Sequence, residues 1–139
     1  MKCVSVVGIG PGNELYLSIA AKETLEDSDL IVGYKKYVEL VEEYLPEKEY
    51  LYTGMTKEVD RCKMALEKAA EGNAVAVVCS GDAGVYGMAG LVYELSVDYP
   101  DVEIDIVPGI SAVLSGSAVL GAPIGNDFAV ISLSDLLTP

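Results

Sequence analysis

A carboxylate surrounded by glycines is the group in this sequence with the clearest potential for ligand chemistry. Residues 80–87 read S-G-D-A-G-V-Y-G and follow an unbroken apolar run over residues 74–79. The apolar run predicts a buried strand, and a helical pattern begins near Tyr86. This glycine-rich turn therefore lies where a strand ends, which is where open α/β sheets bind ligands. Glycines let a ligand approach the backbone closely, and Asp82 adds a hydrogen-bond acceptor.

Two further turns have a similar composition. The first turn, residues 8–12, reads G-I-G-P-G, and the third turn, residues 107–112, reads V-P-G-I-S-A. Both follow predicted strands, so a parallel sheet would place all three turns at the same edge. Each could also be a plain strand-to-helix connection, with Ser111 capping the helix that follows the third turn. Three such turns at one edge favour a binding site more strongly than any one of them does.

The turns do not match the common nucleotide-binding motifs. The first turn has the spacing G-x-G-x-G instead of G-x-G-x-x-G, and Pro11 removes a backbone N–H that would face a pyrophosphate. No G-K-[S/T] phosphate loop occurs. The sequence also has no histidine, which excludes Ser-His-Asp catalysis, Cys-His catalysis and imidazole metal sites within this chain. We predict no metal site and name no catalytic acid or base.

Composition narrows the partners further. The 22 acidic and 9 basic residues give a net charge of −13, so nucleic acids and anionic membranes are poor partners. Much of the acid is expected on solvated outer helix faces, at Glu39, Glu42, Glu43, Glu47 and Glu49. The three cysteines form no C-x-x-C pair, and no apolar run reaches the ~18 residues of a membrane span. These features favour a cytoplasmic location.

Strand and helix patterns alternate and predict an α/β fold with a five-stranded, mainly parallel sheet flanked by helices. The predicted strands cover residues 2–9, 29–32, 49–52, 74–79 and 103–107. The predicted helices cover residues 17–25 and 37–44, a segment from an N-cap at Thr56 to Gly72, residues from about 86 to 95, and a buried helix over 110–120.

The end of the sequence has a different character. Residues 128–133 are typical of one more strand, but no further element follows it. We expect residues 1–127 to form the α/β domain. Residues 128–139 would then begin a linker, or the first strand, leading toward a missing C-terminal domain.

The three turns closely resemble motifs of the tetrapyrrole methylases, which use S-adenosylmethionine. The resembling segments are residues 7–12 (V-G-I-G-P-G), 80–87 and 107–112. Most of the family has proline where this sequence has Ala83. The alanine-glycine version, followed by M-A-G-L-V over residues 88–92, is similar to the precorrin-3B or cobalt-factor-III C17-methyltransferase branch. Residues 125–137 (G-N-D-F-A-V-I-S-L-S-D-L-L) resemble that branch too.

The resemblance implies methyl transfer from S-adenosylmethionine to C17 of a corrin precursor, with ring contraction, in cobalamin biosynthesis. It also implies a homodimer and the N-terminal domain of the two-domain tetrapyrrole methylase fold, with the cosubstrate held in the cleft between the domains. The glycines Gly8, Gly10 and Gly12 of the first turn would face the tetrapyrrole. The positions that match the family's cosubstrate site are Pro11, Ser80, Gly81, Asp82, Val85, Ser111 and Ala112.

Two expectations follow from this resemblance. Because the sequence matches only the N-terminal domain, we expect the chain by itself to bind S-adenosylmethionine weakly or not at all and to be inactive. We also expect Asp82 to accept a hydrogen bond from the bound cosubstrate. The net charge of −13 is unfavourable for a substrate that carries many carboxylates.

Three other functions compete with this interpretation. Another tetrapyrrole methylase and the related diphthine synthase are both disfavoured by the A-G-V sequence of residues 83–85. A non-catalytic, receiver-like signalling module would also be an acidic five-stranded α/β domain. It would need a phosphoacceptor aspartate at a central strand end and paired acids after the first strand, but the first strand here ends in glycine and proline.

Overall fold

All five strands of the chain run parallel in one sheet, in the computed structural model that describes residues 1–133. The order across the sheet is β3-β2-β4-β1-β5. Every predicted strand up to residue 107 is confirmed, with ends that differ by at most two residues. The strands are β1 (Cys3–Gly8), β2 (Leu30–Tyr34), β3 (Glu49–Thr53), β4 (Ala74–Cys79) and β5 (Glu103–Val107).

Helices cover both faces of the sheet, which explains why the central strands are almost entirely apolar. They are α1 (Ile19–Asp27), α2 (Lys35–Glu42), α3 (Glu58–Ala70), α4 (Ala89–Ser96) and α5 (Ala112–Leu120), with a short 3-10 helix at Glu14–Tyr16. One core cluster joins Val4 and Val6 of β1 to α3 and α4. The other joins Val7 and Ile9 to α1 and α2. The glutamates expected on outer faces are exposed.

The topology creates a crevice between β1 and β4. These strands are neighbours, with Gly8 paired opposite Cys79 at their carboxyl ends. The connection that follows β1 leads toward β2, on one side of the pair, while the connection that follows β4 leads to β5 on the other side. Ligands of open α/β sheets bind where successive connections diverge in this way.

Two predicted helix starts are wrong. Lys57, not Thr56, is the N-cap residue of α3, and Thr56 has a φ of 61°. Helix α4 begins at Ala89, because Tyr86 has a φ of 52° and the glycine-rich turn continues up to the helix. In both places a left-handed residue prevents the helix from starting where the side-chain pattern suggests.

The last two predicted elements also need correction. Helix α5 forms and is capped by Ser111, but none of its residues is buried. It follows the edge strand β5, and no described element lies over its apolar side chains. The strand predicted over residues 128–133 is not formed in the structure, because these residues pair with no strand of the sheet. The rest of the predicted linker, residues 134–139, lies outside the described residues.

No helix within residues 1–133 is both long enough and apolar enough to cross a membrane. The cysteines are free thiols, with Cys62 and Cys79 buried and Cys3 partly exposed.

Candidate functional site

The first turn and the glycine-rich turn are joined by reciprocal backbone hydrogen bonds. The amide of Gly10 donates to the carbonyl of Gly81 at 3.0 Å, and the amide of Gly81 donates to the carbonyl of Gly10 at 2.9 Å. Just before this pair, the amide of Ile9 donates to the carbonyl of Cys79 at 2.9 Å. The crevice between β1 and β4 is therefore closed at its floor by backbone, and Gly81 itself is buried.

The third turn packs against the other two through glycine. A Cβ atom at Gly8 would lie 2.6 Å from the carbonyl oxygen of Gly81 and 2.8 Å from the amide nitrogen of Gly109. A Cβ atom at Gly109 would lie 2.3 Å from that same oxygen. No side chain fits at these distances, so glycine at positions 8 and 109 is required by backbone contact. The three turns form one cluster, as their common edge predicted.

Asp82 joins the cluster through both carboxylate oxygens. Its Oδ1 accepts from the amide of Gly109 at 2.9 Å, and its Oδ2 accepts from the amides of Gly84 at 2.9 Å and Val85 at 3.2 Å. Asp82 therefore has a structural role that the sequence pattern did not indicate. Asp82 fixes the shape of the glycine-rich turn and connects it to the third turn.

The hydrogen bonds also set the charge of this group. Burial raises the pKa of Asp82, but the amides of Gly109, Gly84 and Val85 outweigh burial and hold the pKa below its usual range. The carboxylate is therefore ionised at neutral pH. A carboxylate offers about four acceptor positions, and backbone amides take up most of this capacity at Asp82.

The predicted cosubstrate residues occupy different parts of this edge. The side chains of Pro11, Ser80, Val85 and Ala112 are exposed, while Gly81 is buried. Ser111 is partly buried and its Oγ accepts from the amide of Val113 at 3.2 Å, so its hydroxyl caps α5. The structure brings Gly8, Gly10, Gly81, Asp82 and the third turn together.

Two of the hollows beside the cluster divide the predicted residues. Ser80 and Tyr86 line a cavity of about 470 Å³ beside β2 and β4. Pro11 and Gly12 line a separate, more open hollow of about 550 Å³, next to Tyr44 of the segment after α2. Pro11 and Ser80 therefore line different hollows of the described structure.

Sequence reasoning missed Arg61, which also lines the cavity of about 470 Å³. Position 61 falls on a predicted helix in a stretch of mixed charge, so the local pattern gave it no special status. One signal was available, because Arg61 is the only arginine in the sequence. Its burial and its partners depend on the fold and could not be read from the helical pattern.

Residues 4–139 match the family model for tetrapyrrole (corrin/porphyrin) methylases. The chain is 48% identical over 137 residues to a probable cobalt-factor III C(17)-methyltransferase of Salmonella typhimurium, covering 98% of this chain and 57% of the relative. A protein of the same description from Methanocaldococcus jannaschii is 50% identical over 135 residues, covering 96% of this chain and 53% of the relative.

Solved structures agree with these relatives. The chain is similar to the crystal structure of the methyltransferase CobJ with a TM-score of 0.88 and 42% identity, covering 98% of this chain and 58% of that chain. A uroporphyrin-III C-methyltransferase of Thermus thermophilus, complexed with S-adenosylhomocysteine, shares the fold with a TM-score of 0.68 at 22% identity, covering 89% of this chain and 53% of that chain. The chain thus spans about half the length of the relatives it matches.

Proposed function

The chain belongs to the tetrapyrrole (corrin/porphyrin) methylase family, and we propose that it provides one half of the S-adenosylmethionine site of a corrinoid C17-methyltransferase. The proposed reaction is methylation of precorrin-3B or cobalt-factor III at C17, with ring contraction, in cobalamin biosynthesis. The branch is supported by the names of relatives at 48% and 50% identity over nearly the whole chain.

The observation that carries the proposal is the cluster of three turns at the crevice between β1 and β4. Gly10 and Gly81 join two of the turns, and Asp82 joins the third through Gly109. The surface that results is mostly backbone, with exposed side chains from Ser80 and Val85 at its rim. Such a surface suits a flat, polar cosubstrate, because backbone can approach the ligand closely where no side chain stands between them.

The proposed chemistry needs positioning more than acid–base catalysis. When bound, S-adenosylmethionine supplies a sulfonium methyl group: a substrate carbon forms a bond to it as the carbon–sulfur bond breaks, leaving S-adenosylhomocysteine. The protein's task is to hold the two reactants in line, which is worth up to ~7–11 kcal/mol of the barrier. A chain without histidine can perform this task. We propose that Asp82 helps by fixing the turn and by accepting a hydrogen bond from the cosubstrate.

We also propose that a second domain completes the site. The support is the uncovered apolar surface of α5, where Val119 is 87% exposed and Leu120 is 81% exposed. Burying such side chains is favourable by roughly 1.5–3 kcal/mol each. A second domain over α5 would close the crevice from above. We also propose the homodimer implied by the resemblance and the cytoplasmic location favoured by the composition, and light scattering of the purified protein tests the dimer.

A chimeric enzyme tests the proposed function. Residues 1–139 would replace the matching part of the Salmonella typhimurium relative, in a strain that lacks its own gene. We expect the chimera to restore cobalamin synthesis, measured as growth that depends on cobalamin made by the cell. A chimera carrying Asp82→Ala should lose most of this activity. The control Asp101→Ala removes an exposed carboxylate outside the three turns and should keep the activity.

Two results would contradict the proposal. A chimera that accumulates as folded protein but restores no methyl transfer would refute the assigned branch. Micromolar binding of S-adenosylhomocysteine to the isolated 139-residue chain, measured by calorimetry, would refute the view that a second domain completes the site.

A further inference from the structure

A cavity of about 470 Å³ lies next to the glycine-rich turn, beyond the carboxyl ends of β2 and β4. Its walls combine aromatic and polar side chains, including Tyr34, Tyr86 and Ser80. A guanidinium group, that of Arg61 on α3, is also part of the wall. The cavity is large enough for a substantial part of a small ligand, since typical ligand pockets measure roughly 300–1,000 Å³.

Arg61 is the only buried charged residue among residues 1–133, with 5% of its surface exposed. Its Nε donates to Thr53 Oγ1 at 3.0 Å, and its Nη2 donates to the carbonyl of Gly54 at 3.2 Å. The remaining nitrogen, Nη1, faces only the Met88 sulfur at 4.0 Å. Thioether sulfur is a weak acceptor, so at least one of the guanidinium nitrogens lacks a strong partner.

No carboxylate of residues 1–133 lies within 4.0 Å of this buried cation. The ion pairs formed within residues 1–133 all belong to exposed lysines, and none involves Arg61. Glu58 lines the same cavity, but its carboxylate does not come within 4.0 Å of the guanidinium. Arg61 also lies in the first turns of α3, near the positive end of the helix dipole, which disfavours a cation. A buried charge is costly unless it is paired.

Hydrogen bonds to the turn between β3 and α3 explain why the Arg61 side chain is held in place. They do not explain why a charged side chain is needed there. Thr53 and Gly54 need donors, which a neutral side chain could also supply. The ring of Tyr34 lies 5.9 Å from the guanidinium carbon and adds a modest cation–π attraction. Contacts with Thr53, Gly54 and Tyr34 thus fix the orientation of the guanidinium plane. Its Nη1 has no strong acceptor within residues 1–133 and is available to a ligand group.

We propose that Arg61 binds a carboxylate of a ligand that enters this cavity. The inference rests on the proposed function, which offers two ligands with carboxylates. One is the tetrapyrrole substrate and the other is the methionine part of the cosubstrate. A guanidinium forms strong, charge-assisted hydrogen bonds to a carboxylate and is more weakly hydrated than a lysine ammonium. The bound carboxylate would supply the missing counter-charge.

Two pairs of probes separate the two sources. S-adenosylhomocysteine is compared with 5′-methylthioadenosine, which lacks the amino-acid carboxylate, and uroporphyrin III is compared with its neutral octa-amide. Calorimetry on the purified chimeric enzyme, in which a second domain completes the site, would give the affinity of each probe for the forms with Arg61, Arg61→Gln and Arg61→Lys. Lys63→Gln is the matched control, because it removes an exposed cation from the same helix.

We expect Arg61→Gln to weaken the carboxylate-bearing member of one pair by about ten- to hundredfold, the effect of losing a charged hydrogen bond. The other member of that pair should bind unchanged, Arg61→Lys should recover part of the affinity, and Lys63→Gln should have no effect. The pair that responds identifies the source of the carboxylate. Thermal unfolding checks that each variant is folded.

Because Arg61 is the only arginine, a second measurement works on wild type alone. Its Nε–Hε group gives one signal in an NMR spectrum, and that signal should shift when the carboxylate probe binds. The inference is overturned if no carboxylate probe binds, if Arg61→Gln weakens both members of a pair equally, or if the signal does not move.

A chimera with Arg61→Gln that transfers methyl normally would refute the inference alone. An inactive chimera whose Arg61 still binds a carboxylate would refute only the proposed function.

Discussion

Removing the Asp82 carboxylate is expected to destabilise the domain as well as the site. Three backbone amides, those of Gly109, Gly84 and Val85, donate to this carboxylate at 2.9, 2.9 and 3.2 Å. The Gly109 amide is partly buried, whereas the Gly84 and Val85 amides lie near solvent. After Asp82→Ala, water can reach the two exposed amides but only poorly the third.

The size of the effect follows from this difference. A hydrogen bond to a charged group contributes about 1.5–3 kcal/mol, and a buried donor left unpaired costs about 1–3 kcal/mol. With one poorly hydrated amide and two hydrated ones, we expect Asp82→Ala to lower the free energy of unfolding by about 2–3 kcal/mol. Asp82→Asn keeps one acceptor oxygen and should lose roughly half as much.

Urea unfolding followed by circular dichroism measures these differences directly. The matched control is Asp101→Ala, because Asp101 is exposed and no hydrogen bond to its carboxylate is formed within residues 1–133. The control should change the free energy of unfolding by less than about 0.5 kcal/mol. A loss for Asp82→Ala no larger than that of the control would refute the structural role assigned to the carboxylate.

The depressed pKa of Asp82 adds a pH dependence. Since the folded state holds the pKa below that of the unfolded chain, the unfolded chain binds a proton more readily. The stabilisation is therefore fully present above the ordinary aspartate pKa and is lost as the pH falls through the lower folded value. The difference in stability between wild type and Asp82→Asn should shrink as the pH falls in that range. A difference that grows instead would contradict the assignment.

Three further predictions concern other parts of the chain. Gly109→Ala should lower the free energy of unfolding by about 3 kcal/mol, because the new Cβ would lie 2.3 Å from the carbonyl oxygen of Gly81. A loss under about 1 kcal/mol in urea unfolding would contradict this close contact. Iodoacetamide at pH 8 should label Cys3 before the other two cysteines. Burial raises the pKa of Cys62 to about 12 and that of Cys79 to about 11, so both remain unreactive thiols. Equal labelling rates of the three cysteines, measured by mass spectrometry, would refute this order. Val119→Lys should leave the stability of the isolated chain unchanged within about 0.5 kcal/mol, since the side chain is 87% exposed, and should reduce self-association measured by light scattering.

The sequence predicted the sheet well because buried parallel strands have a simple signature. The short, largely apolar runs over β1 and β4 and the alternating pattern E-I-D-I-V over β5 end at glycine-rich or proline-containing turns, as strands of a buried sheet do. The edge common to the three turns then followed from the parallel order. Strands and helices are predicted correctly from sequence where the local residue pattern and the tertiary packing favour the same element.

The errors arise where a contact outside the local segment decides the structure. Helix α5 looked buried because its residues are small and apolar, yet nothing in residues 1–133 covers it. Residues 128–133 looked like a strand, but the sheet offers them no pairing edge in this structure. The roles of Asp82 and Arg61 depend on partners 27 residues away in the chain, which no spacing rule could identify.

The net charge of −13 is a poor guide to how this edge of the sheet treats anions, because location matters more than the total. Repulsion by exposed acids acts over about 30 Å at 0.01 M salt but only about 8 Å at 0.15 M salt. A buried guanidinium in direct contact with a carboxylate is screened much less. If Arg61 is the anchor, raising the salt from 0.01 to 0.15 M should therefore strengthen binding of uroporphyrin III to wild type. Arg61→Gln should stay weaker than wild type at both salt concentrations. An affinity for wild type that falls steadily with salt would instead indicate attraction by exposed cations, and the anchor would have to be sought elsewhere.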